Sequence, residues 1–272
     1  MTIAEMHVYF RQYAQQMGMQ NVRNILPEQI DVLINTKISD VVNKTIKENV
    51  NVTGDRVVAD NSKISHINAL KPLYIVDDLQ ISRIENNEVV FNSEDFTINE
   101  QLGTVSFEAN PEYLFLVGFS LNYINTNNNE ITRYFPVRLI DDSRLAETLN
   151  DFVLRNRATK PIITIYNDTQ HVMYLERFIN NSNVSNISSS LRGGLFPFSL
   201  RMSYIAKPAV VKFDTEHDYD DAEYESIDCN LPDFLHVDIV KGAVELYRNA
   251  INGGSSTYTP QENAPQQNEQ NY

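Results

Sequence analysis

The stretch that decides the fold is LPDFLHVDIVKGAVELY, residues 231–247, which predicts a helix with a sharp start. Pro232 suits the opening of a helix because its missing N–H costs nothing there, and Asp233 places a negative charge near the positive end of the helix dipole. Apolar residues then recur at helical spacing, which predicts one buried face. After this helix, residues 252–272 are dominated by Gly, Ser, Gln, Asn and Pro, so we expect a tail that is disordered when free.

The other end of the chain predicts two more helices. Thr2 and Glu5 have the spacing of a capping box, in which each side chain accepts a hydrogen bond from the backbone N–H of the other residue. Apolar residues follow at helical spacing up to residue 17, and a second helix opens at Pro27 with a stripe up to residue 46. The apolar faces of the three helices must be covered by the middle of the chain or by a neighbouring subunit, and the sequence leaves both open.

From about residue 70 the apolar period changes to that of strands. Strands are predicted at 73–76, 88–91, 104–107, 162–166, 172–175 and 198–213, with a hairpin formed by 113–124 and 131–140 around an asparagine-rich tip. Residues Asp141, Asp142 and Ser143 are predicted to cap a short helix that carries Leu145, Leu149 and Phe152 on one face. The predicted fold is therefore α+β, with helices at both ends of an antiparallel β-rich middle.

The same patterns predict how the chain is organised. We expect an N-terminal helical region at 1–54, a β-rich middle at 70–213, an acidic loop at 214–230, a C-terminal helix at 231–251 and a flexible tail at 252–272 that is not a domain. The start of the chain has no basic segment followed by an apolar run, and no stretch approaches the ~20 apolar residues of a membrane helix, so we expect a protein kept in a cytoplasm.

Composition excludes some functions. The formal net charge of −14 repels phosphate, which disfavours non-specific nucleic-acid binding but is compatible with a wall that DNA slides past. Cys229 is the single cysteine, so the sequence offers neither an internal disulfide nor a zinc ligand set.

No arrangement in the sequence is typical of catalysis, and we predict no catalytic, cofactor-binding or metal site. The five histidines are scattered and are expected to be surface or interface residues. Cys229 and His236 allow a nucleophilic pair, although an inert cysteine fits better without a family signature. A run of carboxylates resembles a calcium loop but has Tyr219 where that loop needs glycine, so a solvated loop is favoured over a dock for a basic partner; the run comprises Asp214, Glu216, Asp218, Asp220, Asp221, Glu223, Glu225 and Asp228.

A family resemblance rests on the order of several short blocks. LPEQID at 26–31 is followed by LIN at 33–35, then by KP at 160–161 directly before a predicted strand, by YIAKPA at 204–209 and by LPDFLH at 231–236. In this order the blocks resemble the head-to-tail adaptor, or neck ring, proteins of tailed phages, and most closely those of crAss-like podoviruses.

The resemblance implies a non-enzymatic structural protein of the virion neck or tail, assembled in the cytoplasm of the host bacterium. It implies a homo-oligomeric, dodecameric ring that connects the portal protein to neighbouring ring or tail proteins, with viral DNA passing through its lumen and no sequence-specific or membrane binding. We expect interface contacts at Phe234, Ile239 and Tyr247, and in the tail at Tyr258 and Tyr272. The rival interpretations are a glycan- or receptor-binding tail module and a hydrolase with a carboxylate pair.

Overall fold

The computed structural model describes residues 1–19, 22, 24–49, 67–85, 88–92, 94–108, 113–125, 127–128, 130–166, 170–176, 179–180, 189–191, 193–216 and 225–251. Within them lie the helices α1 (Ile3–Gln16), α2 (Pro27–Asn49), α3 (Asp142–Asn150) and α4 (Asp233–Ile251). The chain divides into two compact units, of which the first combines Met1–Asn43 with Ala209–Tyr272 and the second is Lys44–Pro208. The two ends of the chain therefore fold together.

The first unit is built on α1, α4 and the first part of α2. The capping box at Thr2 and Glu5 is present and starts α1. Helices α1 and α4 run side by side in the same direction, because the Met1 amine lies 2.7 Å from the Asp233 carboxylate and the Phe10 ring lies 6.1 Å from the Tyr247 ring. Each helix buries a stripe at helical spacing, for example Met6 and Phe10 on α1. The apolar faces of the helices therefore pack against one another. The sequence analysis had considered only the middle of the chain or a neighbouring subunit as the covering surface.

Polar side chains of α2 form hydrogen bonds with the backbone of residues 211–213, which precede α4 in the chain. The Asn35 carboxamide donates to the Val211 carbonyl at 2.9 Å and accepts from the Val211 N–H at 2.8 Å. One turn earlier, the Asp31 carboxylate accepts from the Phe213 N–H at 3.0 Å. Because these backbone groups have no strand partner at this point, the side chains supply the hydrogen bonds that a sheet would have supplied.

The described part of the second unit contains a sheet of nine strands and two separate strand pairs. The strands among the described residues are β1 (Tyr74–Gln80), β2 (Ser82–Glu85), β3 (Glu88–Phe91), β4 (Phe96–Asn99), β5 (Thr104–Glu108), β6 (Tyr113–Asn125), β7 (Glu130–Ile131), β8 (Phe135–Leu139), β9 (Ile162–Tyr166), β10 (Gln170–Tyr174), β11 (Ile179–Asn180), β12 (Ser189–Ser190) and β13 (Leu195–Ala206). The sheet has the order β1-β13-β6-β8-β9-β10-β5-β4, with β7 also paired to β6, while β2–β3 and β11–β12 are separate pairs. Only the β8–β9 pair is parallel among these strands.

The large sheet curls around one core. His171 on β10 and Phe119 on β6 belong to strands three places apart, which is roughly 14 Å in a flat sheet at ~4.8 Å per strand. Their rings nevertheless lie 5.8 Å apart, so the two halves of the sheet face each other. A bulge between Pro197 and Ser199 on β13 interrupts the register with β6 and adds to this curvature. Leu121 on β6 is fully buried in the resulting core.

Helix α3 covers the outer face of β9. Leu145 and Thr148 are its buried residues, and Ile162 and Thr164 are fully buried on the face of β9 opposite the inward-facing Ile163. The crossover between the parallel strands β8 and β9 runs through α3, which is the kind of connection a parallel pair requires.

The predicted α+β class is confirmed, and three local predictions need correction. The last strand ends at Ala206 and not at 213, because the chain leaves the sheet before Pro208. Helix α3 ends at Asn150, which leaves Phe152 outside it with 73% of its surface exposed. Asp141 occupies the N-cap position of α3, but its side chain makes no capping hydrogen bond.

Candidate functional site

The predicted interface residues fall in three different environments. Phe234, in the first turn of α4, is 61% exposed and accessible to a partner. Ile239 is fully buried in the core of its own unit, which corrects its assignment to an interface. Tyr247 is half-buried beside Phe10, and its interface role stays a prediction. Helical spacing indicated a buried face but not which surface covers it. Tyr258 and Tyr272 lie outside the described residues.

Three of the five histidines are buried, which corrects the expectation of surface residues. His7 is 4% exposed and its Nε2 lies 2.7 Å from Asp31 Oδ1. His171 is fully buried and its ring stacks on Phe107 at 5.2 Å. His236 is 2% exposed. Each of the three is held by packing or by hydrogen bonds in a core, and His66 and His217 lie outside the described residues.

Cys229 and His236 do not form a nucleophilic pair. The His236 Nε2 lies 2.8 Å from the Leu231 carbonyl oxygen, and its Nδ1 lies 3.1 Å from the Met1 amine. Both ring nitrogens are therefore occupied by other groups. Cys229 is 9% exposed, and burial raises the pKa of its thiol, which favours the unreactive protonated form.

The acidic segment organises its own backbone where the structure describes it. The buried Asp214 carboxylate accepts from the Glu216 N–H at 3.0 Å and from the Glu225 N–H at 3.1 Å. Asp214 therefore closes the base of the loop and has its oxygens engaged. Within the described part of the chain, no group of three or more His, Cys, Asp or Glu residues is placed to hold a metal ion.

The first unit leaves an apolar groove on the outer side of α1. The groove is open to solvent, presents mainly apolar surface and is lined by Met1, Ala4, Glu5, Val8, Tyr9 and Gln12. Val8, at its centre, is 56% exposed. The α1 residues that face the core lie on the other side of the helix, so the groove is what remains after the unit has buried its own stripes.

The exposed Phe234 follows directly after a residue that contacts this groove. Asp233, its neighbour in sequence, lies 2.7 Å from the Met1 amine, and Met1 is a groove residue. The hydrogen bond from that amine lowers the pKa of the Asp233 carboxyl and keeps it charged. The groove and Phe234, together called the α1 surface, combine apolar area with a polar rim, which is the composition of a protein–protein contact. The sequence analysis found Phe234 but missed Val8, since a single apolar residue on a polar helix face gives no distinctive pattern.

Comparison with models of known protein families and with curated protein sequences gives no match. Among the described helices, none is long and apolar enough to cross a membrane.

Proposed function

We propose that this chain is a structural, non-enzymatic protein of a tailed-phage virion, and that it forms an oligomeric ring in the neck or tail between the portal and the next component. The observation that carries the proposal is the α1 surface, where Val8 and Phe234 remain exposed on well-packed helices. Exposed apolar residues grouped on a folded unit are candidates for a surface that a partner covers.

The chemistry of the described residues supports the same proposal. The buried histidines are occupied by core contacts, Cys229 is held as a thiol and Asp214 is engaged by backbone N–H groups. The net charge of −14 suits a lumen through which DNA slides without adhering. The order of the sequence blocks that resemble neck ring proteins supplies the assignment to the phage neck.

A subunit in a closed ring uses two different surfaces, one for each neighbour. In the proposed assembly the α1 surface is part of one of these two surfaces. An acidic substitution there places a charge in a contact that must be desolvated, which weakens association by a large factor.

The test is the solution mass of the purified chain with and without a cognate portal, measured by light scattering and by co-sedimentation. We expect a multimer, either alone or on the portal, and its loss in Val8→Asp. Leu102→Asp is the matched control, because Leu102 is 70% exposed in a turn of the other unit. A chain that stays monomeric, ignores the portal and binds glycans on an array would overturn the proposal in favour of a tail module.

A further inference from the structure

Three consecutive apolar residues of the second unit, just after the end of α3, are exposed to solvent. Phe152 is 73% exposed, Val153 69% and Leu154 45%. We call these three residues the knuckle. Exposed runs of this length are avoided on soluble surfaces unless they serve a contact, because each side chain forgoes favourable burial.

Hydrogen bonds hold the backbone of the knuckle in place. Asp151 Oδ1 accepts from the Val153 N–H at 2.6 Å and from the Leu154 N–H at 2.9 Å. These two N–H groups lower the pKa of the Asp151 carboxyl. The Arg157 guanidinium donates to the Phe152 carbonyl at 3.2 Å, and Arg138 donates to the Leu154 carbonyl. The turn is thus preorganised with its apolar side chains pointing outward, which lowers the entropic cost of binding.

The rim of the knuckle is basic in a chain that is strongly acidic overall. The guanidinium carbons of Arg155 and Arg157 lie 5.1 Å and 5.8 Å from the centre of the Phe152 ring, within cation–π range. In the part of the chain that the structure describes, neither guanidinium forms an ion pair with a carboxylate. Arginine is among the residue types enriched in interface hot spots, and phenylalanine and arginine are both enriched in interfaces as a whole.

The first unit offers a surface of complementary character. Ile227 is 46% exposed and pairs with Lys212 in an isolated bridge. The exposed residues Glu216 and Glu225 are drawn together beside it, because Asp214 binds the backbone N–H of both. We call Glu216, Glu225 and Ile227 the ribbon patch. It combines the apolar side chain of Ile227 with two carboxylates, and Lys212 is the bridge partner of Ile227.

We infer that the knuckle of one copy docks on the ribbon patch of a second copy of this chain. The apolar residues of the two surfaces meet, and Arg155 and Arg157 pair with the carboxylates of Glu216 and Glu225. A contact between two different surfaces is head-to-tail, and repeating it forms a ring where the rotation between successive copies closes. The inference rests on the proposed ring and names one pair of surfaces that meet at the contact between neighbouring copies.

Charge reversal tests this pairing. The knuckle variant Arg155→Glu/Arg157→Glu and the patch variant Glu216→Lys/Glu225→Lys are each expected to weaken assembly at least about 30-fold, because like charges then meet. Mixing the two variants in equal amounts restores assembly, since every junction in an alternating ring is again complementary. The measurement is mass photometry on the wild type, each variant and the mixture, with portal rings present.

Each outcome separates the inference from the proposed function. Assembly of the wild type, failure of both variants and recovery in the mixture support the pairing. Assembly of the wild type together with unimpaired assembly of the knuckle variant overturns the pairing and leaves the ring intact. Failure of both variants without recovery in the mixture also overturns it, because the two surfaces then contact something other than each other. Absence of any wild-type assembly refutes the ring itself. Urea unfolding of each variant checks that it is folded as the wild type is.

Discussion

Replacing Asp31 with alanine should lower the free energy of unfolding of the first unit. The Asp31 carboxylate lies on α2 and contacts both α1 and the segment before α4. Asp31 is 7% exposed, its Oδ1 lies 2.7 Å from His7 Nε2, and its Oδ2 accepts a hydrogen bond from the Phe213 N–H at 3.0 Å. Removing it leaves two buried polar groups without their partner, at about 1–3 kcal/mol each. The sum is about 2–6 kcal/mol.

The higher helix propensity of alanine offsets a small part of this loss in the free energy of unfolding. Alanine is favoured over aspartate in a helix by at most about 0.7 kcal/mol, so we expect a net loss of about 3 kcal/mol in the free energy of unfolding. With a urea dependence of about 2 kcal/mol per molar, the midpoint falls by about 1.5 M. The assay is urea unfolding followed by circular dichroism at a helical wavelength.

Asp40→Ala is the matched control for this prediction. Asp40 lies on the same helix and is exposed, so this variant has the same gain in propensity and should stay within about 0.5 kcal/mol of the wild type. A midpoint for Asp31→Ala that equals that of Asp40→Ala would show that the buried His7–Asp31 contact contributes nothing, and the reasoning about the first unit would be refuted.

Three further predictions concern the second unit. Ile163→Ala should destabilise the second unit by about 2–5 kcal/mol, because the side chain is fully buried. The control Ile131→Ala changes a side chain that is 52% exposed and should cost less than about 1 kcal/mol. Urea unfolding of both variants measures the difference. The hydrogen bond from Arg201 lowers the pKa of Asp78. The contact between Arg201 and the charged Asp78 therefore stabilises the folded state above the ordinary carboxyl pKa of about 4, and this stabilisation is lost as the pH falls through the lowered pKa. Asp78→Asn should therefore flatten the acid limb of a melting-temperature profile recorded between about pH 5 and pH 2, and an unchanged limb would contradict the assignment. Gly194→Ala should lower the melting temperature, because φ is +74° there and the added Cβ would lie 2.7 Å from an asparagine side chain; a melting temperature equal to that of the wild type would contradict this.

Helix starts were predictable from sequence because their chemistry is local. The reciprocal bonds of Thr2 and Glu5 link residues three apart, so the spacing alone specified them. What covers each stripe was not predictable, because periodicity reports a buried face and not its partner. Phe10 meets Tyr247 across almost the whole length of the chain, and nothing in either local pattern points to the other.

The buried His7–Asp31 pair left a signal that a closer examination of the sequence would find. Each residue sits on an apolar stripe, His7 between Met6 and Phe10, and Asp31 between Ile30 and Ile34. Polar groups on buried faces must be satisfied by other buried polar groups, so two such positions predict a pair. The knuckle left a weaker signal, since an apolar run at the end of a helix also fits one more helical turn.

The central claim is that copies of this chain form a ring, and imaging the chain on a portal tests it most directly. We predict annular particles in electron-microscopic class averages, with one rotational symmetry, centred on the portal axis. Portal particles that remain bare while the chain stays monomeric in the same sample would contradict the account.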